Sequence, residues 1–173
     1  AHGVGPRVRA RAPVRAPRHL VAMVAEAAYE DPAARGRARD GTSSLFFVSG
    51  HEGRDRLSLH RNVIEGARRA GVERVVYTSF MGAAPGATFP YARDHGATEQ
   101  AVRDAGMSLT SMCNALYADV APHFVGQDGV IRAPAGHGRV AWVSRTGVAR
   151  LAAVLLSEPG HGGQTSGVGG THA

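Results

Sequence analysis

The chain of 173 residues is long enough for one domain with its own core, and 43% apolar residues is not a disordered composition. Its net charge of +6 rests on arginine alone, since all 20 cationic residues are Arg, so this chain holds no Schiff-base lysine, no phosphate-loop lysine and no Tyr-Lys proton-transfer couple. A single cysteine, Cys113, excludes an intrachain disulfide or a Cys-rich zinc site, and no apolar run approaches the roughly 18 residues of a membrane span.

Residues 1–18 hold five Arg, Pro6, Pro13, Pro17 and no acid, and so supply +5 of the +6. They read as a solvated Arg/Pro-rich arm. The near-neutral remainder argues against a basic nucleic-acid groove spread over a folded surface. The start lacks a signal peptide's apolar core, so a cytoplasmic location is expected. "HLVAMVAEAAY" (19–29) is a short apolar segment, helix or strand. Asp31-Pro32 then has the form of a helix N-cap and first helical residue, leading into a piece that Gly41 ends.

"SSLFFVSG" (43–50) is a compact apolar run between turn signals and predicts a buried strand. In "DRLSLHRNVIEGARRAG" (55–71), Leu59, Val63, Ala67 and Ala70 recur at helical spacing, and Gly71 stands where a left-handed cap belongs. "VERVVYTS" (72–79) predicts the next strand. A second helix is expected over 93–105 with Gly106 as its cap, and "MSLTSMCNAL" begins as a strand. "GVIRAPAGHGRVAWV" suggests a hairpin turning at Gly136 and Gly138. "RTGVARLAAVLLSEPG" is a final amphipathic helix stopped by Pro159-Gly160. The Gly-rich tail after it shows no closing element.

Apolar strands alternating with helices predict an α/β fold, a parallel sheet with helices on both faces, over a single domain of residues 19–173. Ligands of such sheets bind outside the carboxyl ends of the strands. Ser49-Gly50 and Thr78-Ser79 fall at two such ends, where short polar side chains hydrogen-bond a ligand without filling the crevice.

The ordered set "HRNVIEGARRAGVERVVYTS", "ARDHGATEQAVRDAG", "LTSMCNALYADV" and "GVIRAPAGHGRVAWVSRTGVARLAAVLLSEPGHGGQT" resembles the NmrA-like branch of the atypical short-chain dehydrogenase/reductases, above all its NAD(P)H:quinone oxidoreductases. The likeness covers roughly 19–168. It implies a Rossmann-like domain with an NADP or NAD site, in which Val48-Ser49-Gly50 and Thr78-Ser79-Phe80 run along the ribose and nicotinamide. It further implies that His95 lies near the cofactor and that Asn114 and Tyr117 face the acceptor. Better-known relatives carry Tyr-x-x-x-Lys where this chain has Tyr91-x-x-x-His95, two residues that share a helix face if Tyr91 is helical. Tyr91 and Tyr117 are thus the candidate proton donors, and a neutral or part-time cationic His95 stands in for a permanent cation.

Several family features are absent. Gly3-x-Gly5 follows no predicted strand and precedes no clear helix, so the Rossmann phosphate turn is not recognisable and the first βαβ unit is expected to be incomplete. The acidic residue that such proteins use on the adenine side would fall near Ala28. Relatives also extend past the last residue, so a copy shortened at both ends is expected. The leading reading is an NAD(P)H-dependent oxidoreductase passing hydride to a quinone or similar small acceptor, with self-association left open. Its rivals are a non-catalytic NmrA-type nucleotide sensor and a ligand-free relic. Metal chemistry is set aside because the nine histidines are scattered without a His-Glu-x-x-His.

Overall fold

In the computed structural model, which describes residues 43–51, 53–132 and 136–170, four parallel strands form one sheet in the order β1–β2–β3–β4. They are β1 (Ser44–Phe47), β2 (Arg74–Phe80), β3 (Ser108–Asn114) and β4 (Thr165–Val168). Helices α1 (Arg56–Arg69), α2 (Pro90–Asp104) and α3 (Arg145–Ser157) and a 3-10 turn at Ala118–Phe124 connect them. Phe47 pairs with Tyr77, Phe80 with Asn114, and Asn114 with Val168, so the strands finish near one edge. This is the Rossmann-like α/β architecture predicted from the alternation of strands and helices.

The centre of β2 is buried without a break from Val75 to Ser79 because both faces of the sheet are covered. Consecutive strand residues point to opposite faces. Val75 and Tyr77 therefore join Phe47, Leu109, Val63, Ile64 and Ala67 of α1 and Val102 of α2 in one core. Val76 and Met112 join Val148, Ala152 and Leu155 of α3 in the other. Each such side chain contributes about 1.5–3 kcal/mol by leaving water. Both covering helices end as their glycines predict, with Gly71 at φ 73° and Gly106 at φ 80°. Arg74, at the start of β2, donates to the Leu155 and Leu156 carbonyls at 3.1 and 3.0 Å, satisfying the otherwise open end of α3.

The structure differs from the sequence reading in four places. Helix α2 starts at Pro90 rather than Arg93, because proline suits the first helical position and Arg93 already donates its amide to the Phe89 carbonyl. The hairpin expected over 129–143 is not formed among the described residues. In its place Val125 and Ile131 make one antiparallel bridge around a Gly126–Gly129 turn, and Val143 bridges Tyr117 in parallel. The tail does contribute an element, since Thr165–Val168 is the edge strand β4. Its four residues hold one large apolar side chain, Val168, so the sequence shows no alternation that marks a strand. Finally, the inner stripe of α1 is Arg56, His60, Val63, Ile64 and Ala67, rather than the stripe containing Leu59 and Ala70. The Arg-rich arm, Gly3-x-Gly5, the 19–29 segment and the Asp31-Pro32 cap lie outside the described residues.

Candidate functional site

The carboxyl ends of β1, β2 and β3 bring three loops together. The Ser49 amide donates to Thr78 Oγ1 at 2.9 Å, and the Met81 amide donates to the Asn114 carbonyl at 2.9 Å. Ser49 and Thr78 therefore do meet, and the 48–50 and 80–81 segments lie side by side with the end of β3. The hydroxyls themselves do not lie open. Thr78 and Ser79 are each 3% exposed. Thr78 spends its oxygen on the Ser49 amide. Ser79 points to the other face and donates to Glu99 Oε1 at 2.6 Å, while Arg103 holds Glu99 Oε2 at 3.0 Å. What faces outward at this edge is largely apolar: Val48, Met81, Phe89 and Leu116 are exposed. Phe80 continues that surface, with its ring 5.6 Å from Phe89, which stands edge-on to Tyr91 at 5.0 Å.

Asn114 closes the inner side. Its Nδ2 donates to the Tyr117 hydroxyl at 3.0 Å, and the Arg145 guanidinium lies 5.5 Å over the Tyr117 ring. Asn114 Oδ1 is buried and has no hydrogen-bond partner among the described residues. A buried acceptor left unmade costs about 1–3 kcal/mol, so an orphan at a strand end is a feature a ligand can repay.

Beneath this edge, between the sheet and the α1–α2 pair, lies a buried polar layer. Arg56 donates through Nη2 to His95 Nε2 at 3.0 Å, and His95 Nδ1 meets the Tyr77 hydroxyl at 2.9 Å. Guanidinium nitrogens only donate, so His95 Nε2 is an acceptor, the proton sits on Nδ1 and the ring is neutral. Likewise the Gly50 amide donates to His60 Nε2 at 2.9 Å, leaving Nδ1–H to donate to Thr98 Oγ1 at 2.8 Å, which in turn donates to the Asp94 carbonyl at 2.7 Å. Burial, aided by the nearby Arg56 charge, lowers the pKa of His60 to about 4 and of His95 to about 3. Burial likewise pushes the Tyr77 hydroxyl far above its ordinary range. Arg56 is 5% exposed, with Asp94 3.5 Å from its Nη1 and the Tyr91 ring 5.7 Å from its Cζ. Burial and the Glu99 carboxylate raise the pKa of Cys113, the opposite of what a nucleophilic thiolate needs.

The sequence-predicted residues thus fall into two groups. Val48, Ser49, Gly50, Thr78, Phe80, Asn114 and Tyr117 lie along the strand-end edge. Ser79 and His95 lie below it, on the α2 side of the sheet. His95 follows Tyr91 on α2, but the hydroxyl that His95 meets is that of Tyr77. Arg56, His60, Tyr77, Thr98 and Glu99 were not read from the sequence as site residues. A signal was available at Arg56 and His60, which stand four residues apart in line with Val63 and Ala67 at helical spacing. Polar residues on an apolar helix face have partners inside.

A family model described as NAD(P)H-binding matches residues 1–159. The chain belongs to the NAD(P)H-binding family. Among its relatives is quinone oxidoreductase 2 of Escherichia coli, 34% identical over 154 residues that cover 87% of this chain and 53% of that protein. An NmrA-like family domain-containing oxidoreductase of Aspergillus flavus is 30% identical over 141 residues, 76% of this chain and 46% of the relative. The Citrobacter sp. triphenylmethane reductase, solved in complex with NADP(H), superposes with a TM-score of 0.75 at 33% identity, over 84% of this chain and 53% of that one. The chain spans about half the length of the relatives it matches. The resemblance to NmrA-like and quinone oxidoreductase sequences is borne out by these relatives, and the solved NADPH-dependent quinone oxidoreductase 2 of Escherichia coli superposes with a TM-score of 0.76 at 34% identity, over 84% of this chain and 52% of that one.

For an NAD(P)H-binding chain, the described residues suit the nicotinamide half of the nucleotide. The orphaned Asn114 Oδ1 is an acceptor, and a nicotinamide carboxamide presents N–H donors. The apolar strip of Val48, Phe80 and Met81 suits a flat ring. No phosphate turn was recognised in the sequence, and Gly3-x-Gly5 lies outside the described residues.

Proposed function

We propose that the chain carries the nucleotide site of an NAD(P)H-dependent oxidoreductase that reduces a quinone or a similar small acceptor in the cytoplasm. The observation that supports this most is the buried Asn114 Oδ1, which has no partner among the described residues and stands at the end of β3 beside the end of β2, in a chain of the NAD(P)H-binding family. The names of two relatives, a quinone oxidoreductase and an azoreductase of Xenophilus azovorans that is 28% identical, favour a small conjugated electron acceptor of quinone or azo type.

When bound, NAD(P)H supplies the hydride. The Val48–Gly50 backbone and the Phe80 ring would align the nicotinamide, Asn114 would take its carboxamide, and Thr78 would hold the Ser49 backbone in place. Ser79, through Glu99, and His95, through Arg56 and Tyr77, would keep α2 seated beneath the site. His95 also stacks 6.0 Å from the Phe80 ring at an interplanar angle of 23° and so backs it. Tyr117, beside Asn114, and Tyr91, on the aromatic edge, would give a proton to a reduced acceptor. Neither relies on lysine. A quinone reduced in water also takes protons from solvent, so the chemistry survives the absence of a Tyr-Lys couple.

Among the described residues no helix is long and apolar enough to cross a membrane. The test follows the absorbance of NADPH and NADH with a panel of quinones. Oxidation above the enzyme-free rate supports the reading. Nucleotide binding without oxidation would make the chain a sensor instead, and no binding would remove both.

A further inference from the structure

We propose that His60 is a positioning residue, which holds the Ser49–Gly50 backbone in the orientation a nicotinamide nucleotide would meet. The inference rests on the nucleotide site proposed above and adds a residue that touches no ligand. Two consecutive amides in the loop after β1 are each held by a side chain from a different element. The Ser49 N–H is held by Thr78 of β2 and the Gly50 N–H by His60 of α1, both at 2.9 Å. Because a peptide unit is planar, fixing two successive N–H groups fixes the carbonyls of the same two units. The loop is thereby set at the strand edge rather than left to wander.

Imidazole suits this task on chemical grounds. One end of the ring must accept from Gly50, and the other must donate to Thr98, whose own hydroxyl passes to the Asp94 carbonyl at 2.7 Å. A neutral ring does both at once, and no aliphatic, phenyl or carboxylate side chain does. The ring is 1% exposed and packs edge-on against Phe47 at 5.0 Å, so its plane is not free to turn. Burial and the neighbouring Arg56 charge keep it unprotonated at neutral pH. The connection therefore runs from the β1 loop through α1 to the middle of α2, and anchors that loop through a group in the core.

The experiment compares wild-type protein with His60→Phe, His60→Gln and Thr98→Val. It measures the NADPH Kd by nicotinamide fluorescence, the exchange rate of the Gly50 amide by NMR, and Tm. His60→Phe keeps the ring's volume but loses both hydrogen bonds, and is expected to weaken NADPH about tenfold and to speed Gly50 exchange at least as much. His60→Gln returns an acceptor and is expected to recover most of the affinity. Should His60→Phe fail to fold, the isosteric Thr98→Val, which releases the far nitrogen and the Asp94 carbonyl but leaves the Gly50 contact, is expected to weaken NADPH about threefold. A lowered Tm with unchanged Kd and unchanged Gly50 exchange in both variants would show a purely structural histidine and overturn the inference while leaving the nucleotide site standing. Failure of wild-type protein to bind NADPH would instead overturn the parent reading, and this one with it.

Discussion

Acid should weaken this fold in a pH range where carboxylates are still ionised, because two histidines are buried without their protons. In the unfolded chain each binds a proton near pH 6.5, and in the folded chain only near pH 4 for His60 and pH 3 for His95. Both folded values are depressed, so the stability they confer is complete above pH 6.5 and is lost as pH falls towards 4 and 3. Each proton taken up only by the unfolded chain removes about 1.4 kcal/mol per pH unit. Two of them remove about 4 kcal/mol between pH 7.5 and 5, much of the roughly 5–15 kcal/mol that a domain commonly has. Urea denaturation at half-unit pH steps reads this directly. His60→Phe removes one of the two protons and should halve the loss to about 2 kcal/mol over the same range. Stability that stays level from pH 7.5 to 5, or that falls as steeply in His60→Phe as in wild type, would refute the assignment of two neutral, tautomer-locked rings.

Further outcomes follow from single contacts. Tyr77→Phe leaves the His95 Nδ1–H without its acceptor in a site that keeps its volume, and should cost about 1–3 kcal/mol by urea denaturation. Gly96→Ala should destabilise by a similar amount despite alanine's better helix propensity. Its Cβ would lie 2.6–2.8 Å from the Ala84 backbone, where the 81–89 loop rests on α2. Thr78→Val removes the acceptor of the Ser49 amide without a change of shape, and should cost about 1–2 kcal/mol and weaken NADPH several-fold by fluorescence titration. Asn114→Ala should weaken NADPH about tenfold in the same titration, because it deletes the buried acceptor Oδ1, which has no partner among the described residues.

The strands and helices between residues 43 and 114, and α3, were legible because periodicity and glycine caps agree there. Val75 to Ser79 had to be a strand covered on both faces, and Gly71 and Gly106 had to end helices. The edge strand β4 was hidden because Thr165–Val168 holds one large apolar side chain, Val168, and so carries no apolar alternation. The supposed hairpin failed for a related reason, since glycines in "AGHG" mark a turn without saying what pairs across it. At the site, the positions were legible and the contacts were not. Ser49 and Thr78 do adjoin, yet the pattern of hydroxyls gave no sign that they would be used within the protein. The buried layer escaped notice because Arg56, His60 and His95 are polar letters on helix faces. Only the hydrogen bonds of Arg56 to His95, of His95 to Tyr77 and of His60 to Gly50 and Thr98 explain why those faces turn inward.

The central claim is that the nicotinamide end of the nucleotide rests on the carboxyl ends of β1, β2 and β3. Amide chemical-shift changes on titrating isotope-labelled protein with NADPH test it most directly. The account predicts saturable shifts at Ser49, Gly50, Thr78 to Met81 and Asn114 to Leu116, with the α1–α2 outer surface around Arg61 and Glu65 undisturbed. Shifts confined to that outer surface, or none at saturating nucleotide, would contradict it.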